Sequence, residues 1–145
     1  MKPYDTLGAL ISKINWYLNS YIKKLFVENN IEITVDQWIL VIIINRNPGI
    51  NQTQLAKSAQ KDKAAVTRML DLLSKNGYIK RENHEKDRRT YRIFLTKKGK
   101  DVFDRTLPLS ELAEQNMFQD LSNDEIKNMM SSLTKIRNRT KELLN

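Results

Sequence analysis

The sequence predicts a mainly α fold with a small β-hairpin wing, and three observations support this. Most of the chain shows the three-and-four spacing of apolar residues that is typical of amphipathic helices. A short helix, a turn and a longer helix follow one another over residues 51–75, the order of a helix-turn-helix. Apolar and charged residues partly alternate over residues 78–81 and 91–95, which predicts two paired strands directly after the longer helix.

Length and composition exclude several classes of protein. A chain of 145 residues is long enough for one domain with its own core, and the absence of cysteine excludes disulfides, thiolate metal sites and thiol chemistry. The single histidine, His84, is too little for a histidine metal site or proton relay. No nucleophile, base and orienting residue occur at a recognisable spacing, and there is no glycine-rich phosphate loop. We therefore expect neither an enzyme nor a bound cofactor or metal.

The chain lacks the features of a membrane or exported protein. It has no run of eighteen or more apolar residues, and its N-terminus lacks the basic-then-apolar layout of a signal peptide. We therefore expect a cytoplasmic protein with no membrane partner.

Positive charge is concentrated in the middle third of the chain. Residues 51–100 hold 14 Lys/Arg and 5 Asp/Glu, a net charge of +9, whereas all other residues together carry −1. Because duplex DNA is densely negative, clustered Lys and Arg are the expected source of affinity for it. The charge distribution therefore indicates a polyanionic partner for this third.

The first two helices are predicted from apolar spacing and a capping motif. The first covers residue 5 to about residue 27. Thr34 and Gln37 form a capping box, in which each side chain accepts a hydrogen bond from the other's backbone, and this starts the second helix. Residues 38–44 are apolar all round, so a buried strand is the alternative for them. Residues 45–49 form a turn, and Ile50 is expected to make a short strand contact.

The helix-turn-helix and the hairpin follow. Asn51 caps the short helix, with Gln54 at its third position, and residues 60–62 form the turn. Asn76 and Gly77 close the longer helix, since glycine takes the left-handed terminal conformation without steric cost. The highly charged loop over residues 82–90 is too long for a two-residue hairpin turn.

Two further helices complete the chain. Thr96 is expected to cap the first, which Pro108 should kink or split. Ser122 and Glu125 form another capping box and begin the last helix. Because neither terminal region looks able to bury its apolar side chains alone, we expect the two ends to fold together and against a second chain.

The outward face of the longer helix supplies candidate DNA-binding residues. Arginine can pair with guanine in the major groove, and threonine can touch the thymine methyl, so Arg68 and Thr67 are expected to contact bases. Lys61 and Lys63 are expected to contact phosphate, and Ala64 lies on the same face. The alternative is that these are ordinary solvated residues of a surface helix. It explains any single one of them well, but it explains the whole cluster less well.

The tip of the hairpin has a composition suited to the minor groove. Asp87 is expected to orient Arg89, whose long side chain must be held in one direction to enter the narrow groove, and Arg88 is expected to contact phosphate or the domain body. A salt bridge that only shapes the loop is the alternative, and it is compatible with this role.

These motifs together resemble the MarR family of bacterial winged helix-turn-helix regulators. The resemblance rests on residues 51–57, residues 64–73, residues 76–81, Asp87-Arg88-Arg89 and residues 95–99. It implies a winged helix-turn-helix lobe over about residues 34–98 and a helical dimerisation lobe from about residues 1–30 and 99–145, within one domain of residues 1–145. In such a protein, Asp87 and Arg89 match the family's wing pair and the helix from Lys63 its recognition helix.

The resemblance also implies partners: double-stranded DNA with a pseudo-palindromic operator, a second copy of the chain in a homodimer, and in many members a small aromatic ligand that lowers operator affinity. The function expected is a sequence-specific transcriptional regulator, with a repressor as the first hypothesis. A non-specific architectural DNA-binding protein is the alternative, and a winged-helix module that binds protein is a third interpretation, which the concentrated charge disfavours.

Overall fold

The computed structural model describes residues 6–86 and 90–145, whose elements follow the predicted order. They are α1 (Leu7–Glu28), α2 (Val35–Arg46), α3 (Gln52–Ala59), α4 (Lys63–Lys75), β1 (Ile79–Asn83), β2 (Tyr91–Leu95), α5 (Lys97–Phe118) and α6 (Asn123–Leu143). The chain forms two compact units, one ending at Ser110 and one covering Glu111–Asn145. No helix among the described residues is long and apolar enough to cross a membrane.

Capping boxes fix the starts of α2, α3 and α6, which confirms the two boxes predicted at Thr34 and Ser122 and the cap predicted at Asn51. At α2, Gln37 N donates to Thr34 Oγ1 over 3.1 Å, and Thr34 N donates to Gln37 Oε1 over 3.0 Å. At α6, backbone and side-chain hydrogen bonds from Ser122 to the Glu125 carboxylate lower the pKa of Glu125. Reciprocal bonds of this kind satisfy backbone donors that a helix start leaves unpaired.

The second predicted element is a helix, not a strand, and it crosses the core of the first unit. Leu40, Val41 and Ile44 are completely buried. They pack in one cluster with side chains from α3, α4 and both strands. A continuous apolar run is therefore accommodated because α2 is surrounded by other elements.

The hairpin has a third, one-residue contact at its base. β1 and β2 pair antiparallel, with Ile79 opposite Leu95 and Arg81 opposite Ile93. Ile93 also bridges to Ile50, as expected from the sequence: Ile93 N donates to Ile50 O over 3.0 Å, and Gly49 N donates to Ile93 O over 2.9 Å. The segment that leads into α3 is thus fixed to the hairpin.

Helix α5 continues through Pro108 as one element over 22 residues. Of the two predicted effects, the split of the helix at Pro108 is therefore wrong, and the kink stays a prediction. Proline removes one N–H donor and crowds the preceding turn, but the many remaining hydrogen bonds of a long helix keep it continuous. Thr96 caps the helix as expected, since Gly99 N donates to Thr96 Oγ1 over 3.1 Å.

Candidate nucleic-acid interface

Helix α4 presents a polar outward face opposite its buried stripe. Val66, Leu70 and Leu73 are buried. Spacing on a helix then directs the remaining side chains outward, and Lys63, Ala64 and Arg68 are exposed. The start of this face is held by Asp62, whose Oδ1 accepts from Ala65 N over 2.9 Å. The predicted contact residues Lys63, Ala64, Thr67 and Arg68 therefore follow one another along the first two turns of α4.

Lys61 lies just before α4 and already has a partner. Its Nζ is 2.8 Å from Asp36 Oδ1, with the Lys61 side chain 25% exposed and that of Asp36 62% exposed. A solvent-exposed ion pair of this kind stabilises the fold by roughly 0–1 kcal/mol. The ammonium group is therefore available to a phosphate that competes with Asp36 for it.

Thr67 is half-buried and its hydroxyl is engaged by the protein. The hydroxyl donates to the backbone carbonyl of Lys63 one turn earlier, over 2.8 Å. It also accepts a hydrogen bond from the side-chain amide of Gln52, the first residue of α3. The sequence did not indicate this contact, because the two residues are fifteen positions apart and lie on different helices.

Arg68 borders an open depression of about 510 Å³ on the surface of this unit. Apolar side chains from α4 and charged groups from α2 and the turn before α4 surround it, and its lining is Asp36, Lys61, Asp62, Ala65, Arg68, Met69 and Leu72. Two of the predicted DNA-binding cations therefore lie at one surface depression.

The hairpin is attached to the outward face of α4 by an ion pair that the sequence analysis did not identify. Arg81 on β1 places Nη2 2.8 Å from Oδ1 of Asp71 on α4. The Arg81 side chain is 26% exposed and that of Asp71 is 60% exposed. Because Arg81 lies on β1 and Asp71 on α4, this pair connects the first strand of the hairpin directly to the helix that carries the predicted base contacts.

The other face of the hairpin carries two cations beside an aromatic ring. Lys80 Nζ lies 5.8 Å and Arg92 Cζ 5.4 Å from the centre of the Phe94 ring. The Arg92 guanidinium also lies against Gly49, where an added Cβ would be 2.7 Å from Nη2. These basic residues were counted in the charge of the middle third, but their clustering depends on strand register and was not predicted.

The tip itself holds three of the predicted site residues, Asp87, Arg88 and Arg89, and these lie outside the described residues. Next to them, His84 N donates to Thr90 O over 3.0 Å, which continues the strand pairing by one step. The assignment of Asp87 to orient Arg89 stays a prediction.

Comparison with known proteins identifies the family. A model described as MarR family matches residues 33–91. The HTH-type transcriptional regulator BilQ of Clostridium symbiosum (strain WAL-14163) is 32% identical over 102 residues, which cover 70% of each chain. This chain belongs to the MarR family. Membership confirms the predicted resemblance and shows that the protein is a transcriptional regulator of a non-enzymatic family, as expected.

Solved structures of MarR-family proteins share the fold over at least 90% of this chain. A mutant of MarR from E. coli complexed with operator DNA superimposes with a TM-score of 0.84 at 25% identity, covering 90% of this chain and 92% of the other. A MarR transcriptional regulator from Methanosarcina mazei Go1 gives a TM-score of 0.83 at 28% identity, covering 94% and 97%. The predicted fold class, a winged helix-turn-helix with additional helices, is confirmed for this MarR-family chain.

Proposed function

We propose that this protein is a homodimeric transcriptional repressor that binds a pseudo-palindromic operator through α4 and the hairpin. The observation that supports this best is the exposed row of Lys63, Ala64 and Arg68 beside a hairpin that Arg81 ties to the same helix. A helix fits the major groove, and a hairpin attached to it reaches the neighbouring backbone and minor groove. In bacteria we expect such a protein in the cytoplasm, where the DNA lies.

Exposed apolar stripes support the homodimer. In α6, Met129, Leu133, Ile136 and Leu143 follow a spacing of three and four, and each is at least 39% exposed. In α1, Leu7, Ile11 and Ile14 show the same spacing, with exposures from 37% to 59%. Such a seam is typical of helices that pack against partner helices. We therefore assign α1 and α6 to the dimer contact that sets the distance between two α4 helices.

A small aromatic ligand that lowers operator affinity is the second part of the proposal. The open depression beside Arg68 brings the apolar side chains of Met69 and Leu72 next to Lys61 and Arg68, and the carboxylates of Asp36 and Asp62 also line it. We propose it as one place where the ring of such a ligand would lie. A ligand there would compete with DNA for Arg68. A ligand elsewhere would act by favouring a dimer spacing that does not fit two half-sites about one helical turn apart.

Selection of bound fragments from random duplex DNA tests the proposal. We expect an enriched motif with two-fold symmetry, since a symmetric dimer binds two related half-sites. Enrichment of an asymmetric motif would overturn the dimeric assignment, and uniform recovery of all sequences would favour the architectural alternative. Titration of the complex with benzoate, and with phenol as the uncharged comparison, then tests the ligand.

Three substitutions separate base contacts from phosphate contacts. Arg68→Ala should relax preference at one position of each half-site by about 1–3 kcal/mol. Lys61→Ala should weaken all sequences alike and reduce the slope of log affinity against log salt by about 0.9 for each phosphate that the protein no longer neutralises. Asp36→Asn removes the competing carboxylate and should strengthen binding to all sequences. If Arg68→Ala and Lys61→Ala caused equal losses on operator and random DNA, sequence-specific recognition by α4 would be excluded.

A further inference from the structure

The side chain of Thr67 offers DNA fewer chemical groups than its residue type suggests. A threonine hydroxyl has one proton to donate and two acceptor positions. In this structure the proton is donated to the Lys63 carbonyl over 2.8 Å, and one acceptor position is occupied by the Gln52 amide. Thr67 therefore has no hydroxyl proton left for a base, and its methyl group is the principal group that it can present.

Gln52 is itself held in place by the first turn of α3. Gln54 N donates to Asn51 Oδ1 over 2.8 Å, and Asn51 N donates to Gln54 Oε1 over 3.2 Å, so the residues on both sides of Gln52 are fixed by a capping box. Because the Thr67 proton is already committed to Lys63, the glutamine must turn its NH₂ group, and not its carbonyl, toward Thr67. The Gln52 side chain is therefore the donor and the Thr67 hydroxyl the acceptor, and this hydrogen bond joins the two helices of the helix-turn-helix.

We propose that Gln52 is a positioning residue for base recognition: it holds the Thr67 hydroxyl toward the protein, so that the Thr67 methyl contacts the 5-methyl group of a thymine. This inference rests on the proposed function, and it adds to the expected contact between Thr67 and thymine a second residue, Gln52, that orients the threonine side chain. The 5-methyl group of thymine lies in the major groove, where it distinguishes thymine from the other bases by apolar contact.

Replacing thymine by deoxyuridine removes only that methyl group and leaves base pairing unchanged. A fragment selected from random DNA is prepared with each thymine replaced in turn. Wild-type protein should lose about fourfold in affinity at one position of each half-site, the change expected for one buried methyl group. Replacement at every other thymine should have little effect.

Two variants assign this loss to the proposed contact. Thr67→Ser keeps the hydroxyl and both of its hydrogen bonds but lacks the methyl, so it should bind thymine and deoxyuridine DNA equally. Gln52→Met keeps the length of the side chain but removes the donor. The ratio of its affinities for thymine and deoxyuridine DNA should therefore fall from about four toward one. Its affinity for random DNA should stay near that of the wild type.

Thr134→Ser is the control. Thr134 is exposed on α6 and lies off the apolar stripe of that helix, so its methyl group contacts neither DNA nor the proposed dimer partner. This variant should keep the full discrimination between thymine and deoxyuridine.

The outcomes separate this inference from the proposed function. Equal binding of thymine and deoxyuridine DNA by a wild-type protein that still selects a motif overturns the methyl contact alone. Full discrimination by Gln52→Met shows that Gln52 does not position Thr67. Failure of the wild-type protein to select any motif overturns the proposed function itself.

Discussion

The guanidinium of Arg81 and the carboxylate of Asp71, with Nη2 2.8 Å from Oδ1, connect the first strand of the hairpin to the outward side of α4. Both predicted DNA-contacting elements therefore share one electrostatic contact. Because the two side chains are 26% and 60% exposed, the pair contributes no more than about 1 kcal/mol to folding stability. Its larger effect is expected on the direction of the hairpin.

Breaking this pair should weaken DNA binding more than it weakens the fold. For Asp71→Asn we expect a loss of operator affinity, measured by fluorescence anisotropy, with a change in unfolding free energy below about 1 kcal/mol. The exchanged variant Asp71→Arg/Arg81→Asp should recover part of the affinity. If Arg81 instead contacted phosphate directly, Asp71→Asn would strengthen binding and the exchange would recover nothing.

Gly99→Ala should destabilise the protein strongly. A Cβ at this position would lie 2.0 Å from the backbone oxygen of Tyr78, which also accepts a hydrogen bond from Thr96 N. Since backbone atoms must shift to relieve the overlap, we expect a loss of about 2–4 kcal/mol in urea unfolding. Gly8→Ala is the control: nothing lies within 4 Å of its Cβ, and alanine in a helix should be neutral or stabilising by up to about 1 kcal/mol. Equal effects of both changes would contradict the steric explanation.

Local patterns predicted the features that depend on neighbours in sequence. The capping boxes at Thr34, Asn51 and Ser122 join residues three positions apart, so residue type and spacing were sufficient. The end of α4 was predictable for a similar reason, since Gly77 has a positive φ of 80° that glycine adopts at no steric cost. The position of α4 and its exposed face followed from apolar spacing.

Contacts between elements were not predictable in the same way. The bond from Gln52 to Thr67 and the pair between Asp71 and Arg81 depend on how two helices and a strand pack, and no local spacing encodes this. The uninterrupted course of α5 through Pro108 also depends on the rest of a long helix. For the hairpin tip, the predicted roles of residues 87–89 rest on the sequence and the family.

The indole N–H of Trp38 has a buried hydroxyl as its hydrogen-bond acceptor. Trp38 Nε1 donates to Thr106 Oγ1 over 3.0 Å, and Thr106 is completely buried on α5. Thr106→Val keeps the shape but leaves the indole N–H without this acceptor, so we expect a loss of about 1–2 kcal/mol in unfolding free energy. The double variant Trp38→Phe/Thr106→Val removes both partners. Trp38→Phe is measured as the second single variant. If the unfolding free energy lost by the double variant equals the sum of the losses of Trp38→Phe and Thr106→Val, the two side chains do not interact energetically.

The stability of the protein should depend on Tyr78 at high pH. Burial, and then the nearby negative charge of Glu32, raise the pKa of Tyr78 above its ordinary value. The hydroxyl lies 3.5 Å from Glu32 Oε2. In the unfolded chain, tyrosine loses its proton near about pH 10. The stabilising contribution of the protonated phenol is therefore complete below that pH and is lost as the pH rises through the higher folded pKa.

Wild-type protein should lose more unfolding free energy than Tyr78→Phe between about pH 8 and about pH 11, because all other titrating groups are shared. Glu32→Gln should narrow this difference by removing the charge, and parallel pH profiles of wild type and Tyr78→Phe would contradict the raised pKa.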